Sequence, residues 1–288
     1  MKGKTVVITG GNSGIGRVTA TEIAKLGAQV IIVCRNEQKA KAVQEDINAL
    51  TGLNNCDLFI CDFSSQDSIK NFAKQFRMKY NHIDVLINNA GAIIGERQTN
   101  EQGLEMMFAT NHLGYFLITH YLLDLLKAAD KARIINVASL AHRFGGMRWN
   151  DLQAEQFFNS WLQYGHTKLM NILFNKKLSK ILKNNTNITA NCLHPGNINS
   201  NFGRSGNPLM KVLMDNFGFV LTSPEKGAQT SIYLATSPEV QNKTGLYWYR
   251  KNPTIPSMEA ISSDNADRLW EISLQLTGIK EFGAVDFD

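Results

Sequence analysis

Short runs of β-branched apolar residues alternate along this chain with longer segments of helical period. Each run has the length of a buried strand, and each intervening segment can form a helix that crosses over to the next parallel strand. No linker, composition shift or internal repeat divides the series. The pattern predicts an α/β fold: a single Rossmann-type doubly wound domain over residues 1–288, with helices flanking a seven-stranded parallel sheet. The predicted strands are Thr5–Thr9, Gln29–Val33, Leu58–Cys61, Val85–Asn88, Arg133–Val137, Ile188–Leu193 and Leu246–Tyr249.

A glycine-rich turn, residues 9–16, follows the first predicted strand. Glycines there allow backbone N–H groups to approach a pyrophosphate at the positive end of the next helix. The turn opens an amphipathic helix, Ile15–Leu26, and a glycine stops that helix before the second strand, which argues against a merely flexible connection. The turn therefore predicts a dinucleotide site. The predicted contacts are Gly10, Asn12, Ser13, Gly14, Ile15 and Gly16.

The residues that follow the second strand bear on the choice of dinucleotide. An NAD enzyme usually has an acidic side chain there for the ribose 2′-hydroxyl, whereas an NADP enzyme uses arginine for the 2′-phosphate. This chain has Cys34 followed by Arg35, which favours NADP(H), and the hydroxyl of Ser13 is a further phosphate donor. The alternative, that Arg35 is only a solvated surface charge, stays open.

Tyr164 and Lys168 are spaced four residues apart in a segment of helical period. On a helix such residues lie on one face, so the ammonium can bias the phenol towards giving and taking a proton near neutral pH. A hydroxyl side chain, Ser139, comes directly after the fifth predicted strand. The three residues predict a site for proton transfer.

Composition excludes several other classes of protein. The formal net charge is +5, and basic residues are interspersed with acids, so no basic stripe predicts a nucleic-acid partner. Four cysteines lie in or beside apolar runs without paired metal spacing, which predicts reduced core thiols and a cytoplasmic location. Histidines near the predicted site match no metal-binding spacing, and no metal is expected. We expect no transmembrane segment, because no apolar run is long enough to span a bilayer.

The order of these motifs resembles the short-chain dehydrogenase/reductase superfamily over nearly the whole chain. The resemblance is carried by the glycine turn, Asp62, Asn88-Asn89-Ala90-Gly91, Asn111, Ser139, Tyr164-x-x-x-Lys168 and Pro195-Gly196. Further segments resemble the retinol dehydrogenase-like branch. These segments are Thr110-Asn111-His112-Leu113-Gly114, Ser139-Leu140-Ala141-His142, Asn150-Asp151-Leu152-Gln153, Leu193-His194-Pro195-Gly196 and Arg268-Leu269-Trp270-Glu271.

The resemblance implies roles for individual residues. Tyr164 would be the general acid in carbonyl reduction and the base in alcohol oxidation. Lys168 would lower the pKa of that tyrosine and hold the nicotinamide ribose, Ser139 would donate to the substrate oxygen, and Asn111 would hold a water of a proton relay. Further contacts to the cofactor are implied for Asp62, Phe63, Asn88, Ala90, Gly91, Tyr164, Lys168, Pro195, Gly196, Ile198 and Ser200. The superfamily also implies a homodimer or tetramer that pairs the helices at residues 115–126 and 169–182.

Residues 201–222 stand where this superfamily has a substrate lid, and residues 208–221 carry methionine and phenylalanine at helical spacing. Such side chains favour a lipophilic substrate, retinoid-like or another aldehyde or ketone. Two other interpretations of the segment stay open, a helix in peripheral contact with a membrane and a structural surface helix.

The favoured function is therefore an NADP(H)-dependent oxidoreductase. Two alternatives stay open, because a fold does not determine a function. One is a catalytically silent NADP(H)-binding sensor or scaffold. The other is a reductase of another substrate class, such as steroids, quinones or pigments.

Overall fold

The computed structural model describes residues 1–183, 187–196, 223–285 and 287. One sheet contains eight strands in the order β3-β2-β1-β4-β5-β6-β7-β8. Every neighbouring pair is parallel except β7 and β8, which are antiparallel. The strands are β1 (Thr5–Thr9), β2 (Gln29–Cys34), β3 (Cys56–Ile60), β4 (Val85–Asn88), β5 (Ala132–Val137), β6 (Ile188–Leu193), β7 (Tyr247–Tyr249) and β8 (Asn252–Thr254).

Seven α-helices connect or flank these strands within the described residues. They are α1 (Gly14–Lys25), α2 (Glu37–Thr51), α3 (Gln66–Arg77), α4 (Gly114–Lys127), α5 (Ser160–Leu182), α6 (Pro224–Thr236) and α7 (Ser263–Thr277). A π-helical segment, Phe108–Leu113, leads into α4, and a 3₁₀ turn, Leu140–Arg143, follows β5. The doubly wound α/β fold predicted from the alternation of apolar runs is confirmed.

The two faces of the sheet carry separate apolar cores, because successive side chains of a strand point to opposite faces. Val7 faces a cluster that includes Phe72 of α3 and Phe174 of α5. Its neighbour Ile8 faces the other cluster, which includes Ile23 of α1. Both faces of the central strands are thus buried, as expected for a parallel sheet covered by helices.

The eighth strand was missed in the sequence. Arg250 and Lys251 form a two-residue turn between β7 and β8, and both have positive φ angles, 48° and 65°. Turns of this kind are usually recognised by asparagine or glycine, and a proline such as Pro253 argues against a strand unless the strand lies at an edge. The predicted seven-stranded parallel sheet is therefore corrected to eight strands with one antiparallel edge. The third strand also begins earlier, at Cys56, and ends at Ile60.

Helix α7 packs against both helices that the sequence predicted to pair across a subunit interface. The ring of Trp270 on α7 lies 5.1 Å from that of Phe116 on α4 and 6.0 Å from that of Phe174 on α5, measured between centroids. Phe282, beyond α7, contacts the same three rings. A dimer through these faces would form beside α7 or displace it, and the homo-oligomer stays a prediction.

Other sequence-based expectations concern the cysteines and the bilayer. Cys34, Cys56, Cys61 and Cys192 are free and buried, which confirms the prediction of core thiols. No helix within the described ranges is both long and apolar enough to cross a membrane. The predicted lid at 201–222, including the segment 208–221, lies outside the described residues.

Candidate active site

The predicted site residues converge because of the topology of the sheet. Strands β1 to β6 are parallel, so their carboxyl ends meet at one edge, and loops that follow them are neighbours there. The glycine turn follows β1, Arg35 follows β2, and Ser139 follows β5. The order of strands reverses at β1: β2 and β3 lie on one side of it, and β4 to β6 lie on the other. Crevices at such switch points are the usual ligand sites of open α/β sheets.

The glycine turn after β1 depends on close backbone contacts. Gly10 and Gly14 have φ angles of 67° and 51°, which favour glycine. A Cβ on Gly16 would lie 2.2 Å from the carbonyl oxygen of Gly10. The side chain of Asn89, beyond β4, donates to the carbonyl oxygen of Thr9 at 2.9 Å. The turn is therefore held in one conformation by its own glycines and by the loop after β4.

The start of α1 leaves donors exposed at this edge. Ser13 is the N-cap residue, and its side chain accepts no capping hydrogen bond. The first N–H groups of a helix have no intrahelical acceptor, and the helix dipole adds partial positive charge there. Ser13 is exposed, while Asn12, Gly14 and Ile15 are half-buried. These groups suit the binding of an anionic phosphate.

The residues after β2 and β3 lie beside each other. Nη1 of Arg35 is 3.7 Å from Oδ2 of Asp62, and the side chain of Arg35 is 77% exposed. The other carboxylate oxygen of Asp62 accepts from the backbone N–H and the hydroxyl of Ser64, at 2.9 and 2.7 Å. Phe63 is buried. The carboxylate of Asp62, which Ser64 holds in place, thus pairs with the exposed guanidinium of Arg35.

The side chain of Asn88 takes part in a buried hydrogen-bond network. Its Nδ2 donates to Asn136 Oδ1 at 2.9 Å, and Asn136 in turn donates to Asn175 Oδ1 at 3.0 Å. This row of buried amides joins β4, β5 and α5. The backbone beyond Asn88 is bound to β1 instead, since the N–H of Ala90 donates to Thr9 Oγ1 at 2.8 Å. Any role of Asn88, Ala90 and Gly91 in binding would therefore be through the main chain.

Tyr164, Lys168 and Ser139 come together near the start of α5, where Tyr164 and Lys168 are buried and Ser139 is half-buried. The hydroxyl of Ser139 hydrogen-bonds to the phenol of Tyr164. Nζ of Lys168 lies 5.7 Å from the centroid of the Tyr164 ring and donates to the carbonyl oxygen of Val137 at 3.1 Å. Val137 is the last residue of β5, so the strand that delivers Ser139 also fixes Lys168.

Burial controls the protonation of this cluster. It raises the pKa of Tyr164 to about 12, although the hydrogen bond from Ser139 acts in the opposite direction. Burial also lowers the pKa of Lys168 to about 8. The sequence predicted a lowered tyrosine pKa, and the direction found is the reverse, because desolvation disfavours the phenolate more than its neighbours favour it.

Asn111 lies within the π-helical segment before α4, a type of irregularity that is frequent at functional sites. Its Oδ1 accepts from the N–H of Ala92 at 2.8 Å, and its Nδ2 donates to Thr167 Oγ1 at 3.0 Å. Thr167 precedes Lys168, so Asn111 connects the loop after β4 to the turn of α5 that carries Tyr164 and Lys168. The predicted role in a proton relay stays a prediction.

Two glycines missed in the sequence set the distance between Ser139 and Tyr164. A Cβ on Gly165 would lie 2.5 Å from the carbonyl oxygen of Ala141, and a Cβ on Gly145 would lie 2.1 Å from the backbone nitrogen of His166. The 3₁₀ turn after Ser139 therefore packs its backbone directly on α5. The two glycines are twenty residues apart. Gly165 stands at a position that the Tyr164-x-x-x-Lys168 motif leaves open, and no motif marks Gly145.

Tyr115 is a further residue without a sequence signal. Its ring centroid lies 5.4 Å from Nζ of Lys168, and its hydroxyl donates to the carbonyl oxygen of Val137 at 3.3 Å. The ring face is attractive to an ammonium group and covers it from water. Tyr115 thus contributes to the burial that lowers the pKa of Lys168.

The loop after β6 is described as far as Gly196. Gly196 has a φ angle of 90°, and its N–H donates to His194 Nδ1 at 3.2 Å. The ring of His194 stacks on that of Tyr249 at 4.2 Å between centroids. Pro195 and Gly196 are thereby placed at the same edge of the sheet as Ser139. The predicted contacts Ile198 and Ser200 lie outside the described residues.

Comparisons with known proteins agree with this geometry. Residues 4–209 match a family model described as short chain dehydrogenase. Retinol dehydrogenase 11 of Homo sapiens is 38% identical over 279 residues, covering 97% of this chain and 87% of that protein. Retinol dehydrogenase 12 of Bos taurus is 38% identical over 278 residues, covering 96% and 87%. A crystal structure of an uncharacterised protein from Mycobacterium paratuberculosis is 30% identical, with a TM-score of 0.78, and covers 98% of this chain and 95% of that one.

Proposed function

The chain belongs to the short-chain dehydrogenase family, and on that premise we propose that it is an NADP(H)-dependent oxidoreductase that interconverts a lipophilic alcohol and its aldehyde or ketone. The observation that carries the proposal is the cluster of buried Tyr164 and Lys168 with half-buried Ser139, at the same edge of the sheet as the glycine turn. A proton donor, a donor to the substrate oxygen and a cation are all that carbonyl reduction requires of the protein besides a bound hydride carrier.

Tyr164 transfers the proton in this proposal. With a pKa raised to about 12, its phenol keeps the proton at neutral pH and can give it to the oxygen of a carbonyl substrate. Ser139 donates a second hydrogen bond to the same oxygen and fixes its position. Developing negative charge on that oxygen is stabilised by both donors, which do not have to reorganise because the 3₁₀ turn and α5 hold them.

Lys168 supplies positive charge beneath the phenol and can return a proton to it. Its pKa of about 8 allows it to exchange protons near neutral pH. Asn111 anchors the backbone of this region through Ala92 and Thr167. In the reverse direction, alcohol oxidation, Tyr164 would act as the base.

The residues at the edge of the sheet fit a dinucleotide phosphate. When bound, the nicotinamide supplies or accepts the hydride. The hydroxyl of Ser13, which makes no capping hydrogen bond, and the start of α1 would hold the pyrophosphate, and Arg35 would pair with the 2′-phosphate. The fit to NADP(H) is supported by the exposure of Arg35 and by Cys34, a buried thiol whose pKa burial raises to about 11. Neither residue supplies the carboxylate that an NAD site usually has.

A lipophilic substrate is supported by the surface around the catalytic cluster. The ring of Trp161 lies 6.3 Å from that of Tyr164, between centroids, and Trp161 is 45% exposed. Phe144 and Phe157 are also exposed on the segment between Ser139 and α5. Retinol dehydrogenases are among the relatives, so a retinoid-like alcohol or aldehyde is the substrate that we propose. The same apolar surface suits peripheral contact of a cytoplasmic protein with a membrane.

The test is a screen of purified protein with NADPH and NADH against retinal, aliphatic aldehydes, steroids and quinones. We expect NADPH-dependent reduction of at least one lipophilic carbonyl. Tyr164→Phe removes only the phenolic hydroxyl, so we expect it to bind NADPH with unchanged Kd and to lower kcat by about 100-fold or more, the size of a general acid's contribution.

Two outcomes would contradict parts of the proposal. If the wild type binds NADPH but reduces nothing that Tyr164→Phe does not, the protein is a dinucleotide-binding sensor or scaffold. If NADH gives a higher kcat/KM than NADPH, the preference argued from Arg35 is wrong, while the oxidoreductase activity stands.

A further inference from the structure

A pocket lies away from the catalytic edge, between the last turns of α5, the start of α7 and the segment before β7. Its volume is about 550 Å³. The ionisable side chains that line it are Lys176, Lys177, Lys180, Lys183, Lys243 and Asp267. Lys180 follows Lys168 by twelve residues on the same helix, a rise of ~18 Å. This lysine pocket is therefore separate from the site of Tyr164.

The charges in the lysine pocket do not balance. Five lysines and one aspartate line it, a formal net charge of +4. Asp267 pairs with Lys177 at 2.7 Å between Oδ1 and Nζ. The hydrogen bond from Lys177 lowers the pKa of Asp267, and the charges of Lys180 and Lys176 lower it further. This carboxylate therefore already interacts with three lysines. No other acidic residue lines the pocket among the described residues.

Helix α5 bears an electrostatic cost for this arrangement. Lys176 and Lys180 are four residues apart, and Lys180 and Lys183 are three apart, spacings at which like charges repel. The helix contains no aspartate or glutamate that could pair with them. Cations near a helix C-terminus interact favourably with its dipole, but that effect falls off within the last turn. It does not account for Lys176, and Lys243, whose Nζ lies 5.5 Å from the centroid of the Trp248 ring, comes from a different part of the chain.

We propose that the lysine pocket binds a phosphate-bearing anion. A multiply charged phosphate can use several ammonium groups at once, whereas a carboxylate carries only one charge. The start of α7 also lines the pocket at Ser263, and although the hydroxyl of Ser262 caps the N–H of Asn265, the partial positive charge of the helix start favours an anion. The ligand is either a soluble phosphorylated compound or the phosphorylated headgroup of a lipid, which share this chemistry.

The test compares two double variants of the full chain at fixed ionic strength. Lys176→Gln with Lys180→Gln removes two charges from the lysine pocket. Lys70→Gln with Lys74→Gln removes two charges at the same spacing from α3, outside the pocket. Binding of pyrophosphate is measured by calorimetry with excess NADPH present, so that the phosphate site at the glycine turn does not contribute. Association with vesicles is measured in parallel, for phosphatidylcholine alone and with a phosphorylated phosphatidylinositol.

We expect the pocket variant to weaken binding by about tenfold and the α3 variant to leave it within about twofold. If pyrophosphate binds and vesicles do not, the ligand is a soluble phosphate. If only the vesicles with the phosphorylated lipid bind, it is a lipid headgroup. The proposal is overturned if neither probe binds, or if both double variants weaken binding equally, since general surface charge would then explain the effect. Carbonyl reduction by the pocket variant should be unchanged.

Discussion

The glycine turn after β1 and the 3₁₀ turn after β5 both reach the catalytic edge through backbone contacts that exclude a Cβ. In the glycine turn, Gly16 packs on Gly10, six residues earlier in the same loop. In the second turn, Gly165 of α5 packs on Ala141, and Gly145 packs on His166. The first contact closes a loop on itself, whereas the second joins two separate elements.

The two turns therefore relate to different parts of the proposed function. In the proposed function the glycine turn offers donors to a phosphate, so its geometry would concern the affinity for a dinucleotide. The contact at Gly165 lies between the Ser139 turn and the start of α5, so its geometry would concern the rate of the proposed proton transfer. A disturbance of one turn should therefore affect binding, and a disturbance of the other should affect catalysis.

The largest effect is expected for Gly16→Ala. Its Cβ would overlap the carbonyl oxygen of Gly10 at 2.2 Å and Nδ2 of Asn89 at 2.6 Å, and Asn89 also donates to that carbonyl oxygen at 3.4 Å, so the loop must open. Overpacking of this kind costs up to about 3 kcal/mol, which corresponds to an affinity for NADPH lower by about 100-fold. Fluorescence titration measures the Kd.

Gly95→Ala is the matched control for this variant, because a Cβ there would meet no atom within 4 Å. We expect it to bind NADPH like the wild type. An unchanged Kd in a folded Gly16→Ala protein would mean that the glycine turn does not hold the cofactor.

A smaller effect, on rate alone, is expected for Gly165→Ala. Its Cβ would lie 2.5 Å from the carbonyl oxygen of Ala141 and would move the Ser139 turn away from Tyr164. We expect kcat to fall by about tenfold, because small displacements of reacting groups are costly, while the Kd for NADPH stays within about twofold. Steady-state kinetics and titration of the same preparation separate the two. Equal changes in Kd and kcat would contradict the division between the turns.

The same contrast explains how much was predictable. The α/β fold and the membership of the short-chain dehydrogenase family followed from local patterns, apolar alternation and motifs such as Tyr164-x-x-x-Lys168. No local pattern predicts contacts between distant segments. Examples are the packing of Gly145 on α5 and of Trp270 of α7 on α4 and α5. The turn at Arg250 and Lys251 was missed because neither residue is typical of positive φ. The pKa of Tyr164 was predicted in the wrong direction because burial cannot be read from spacing.

The smallest effect is expected for Arg35→Gln, which tests the nucleotide side without disturbing its backbone. Arg35 is mostly exposed and lies 3.7 Å from Asp62, so its loss should leave the fold and the glycine turn intact. An exposed charged contact is worth up to about 1 kcal/mol, so we expect the ratio of kcat/KM for NADPH over NADH to fall by about fivefold. The kcat with saturating NADPH should not change, since Arg35 is remote from Tyr164 along the sheet edge. A ratio that stays constant would identify Arg35 as a solvated surface charge, and a fall in kcat alone would show that the two sides of the site are coupled.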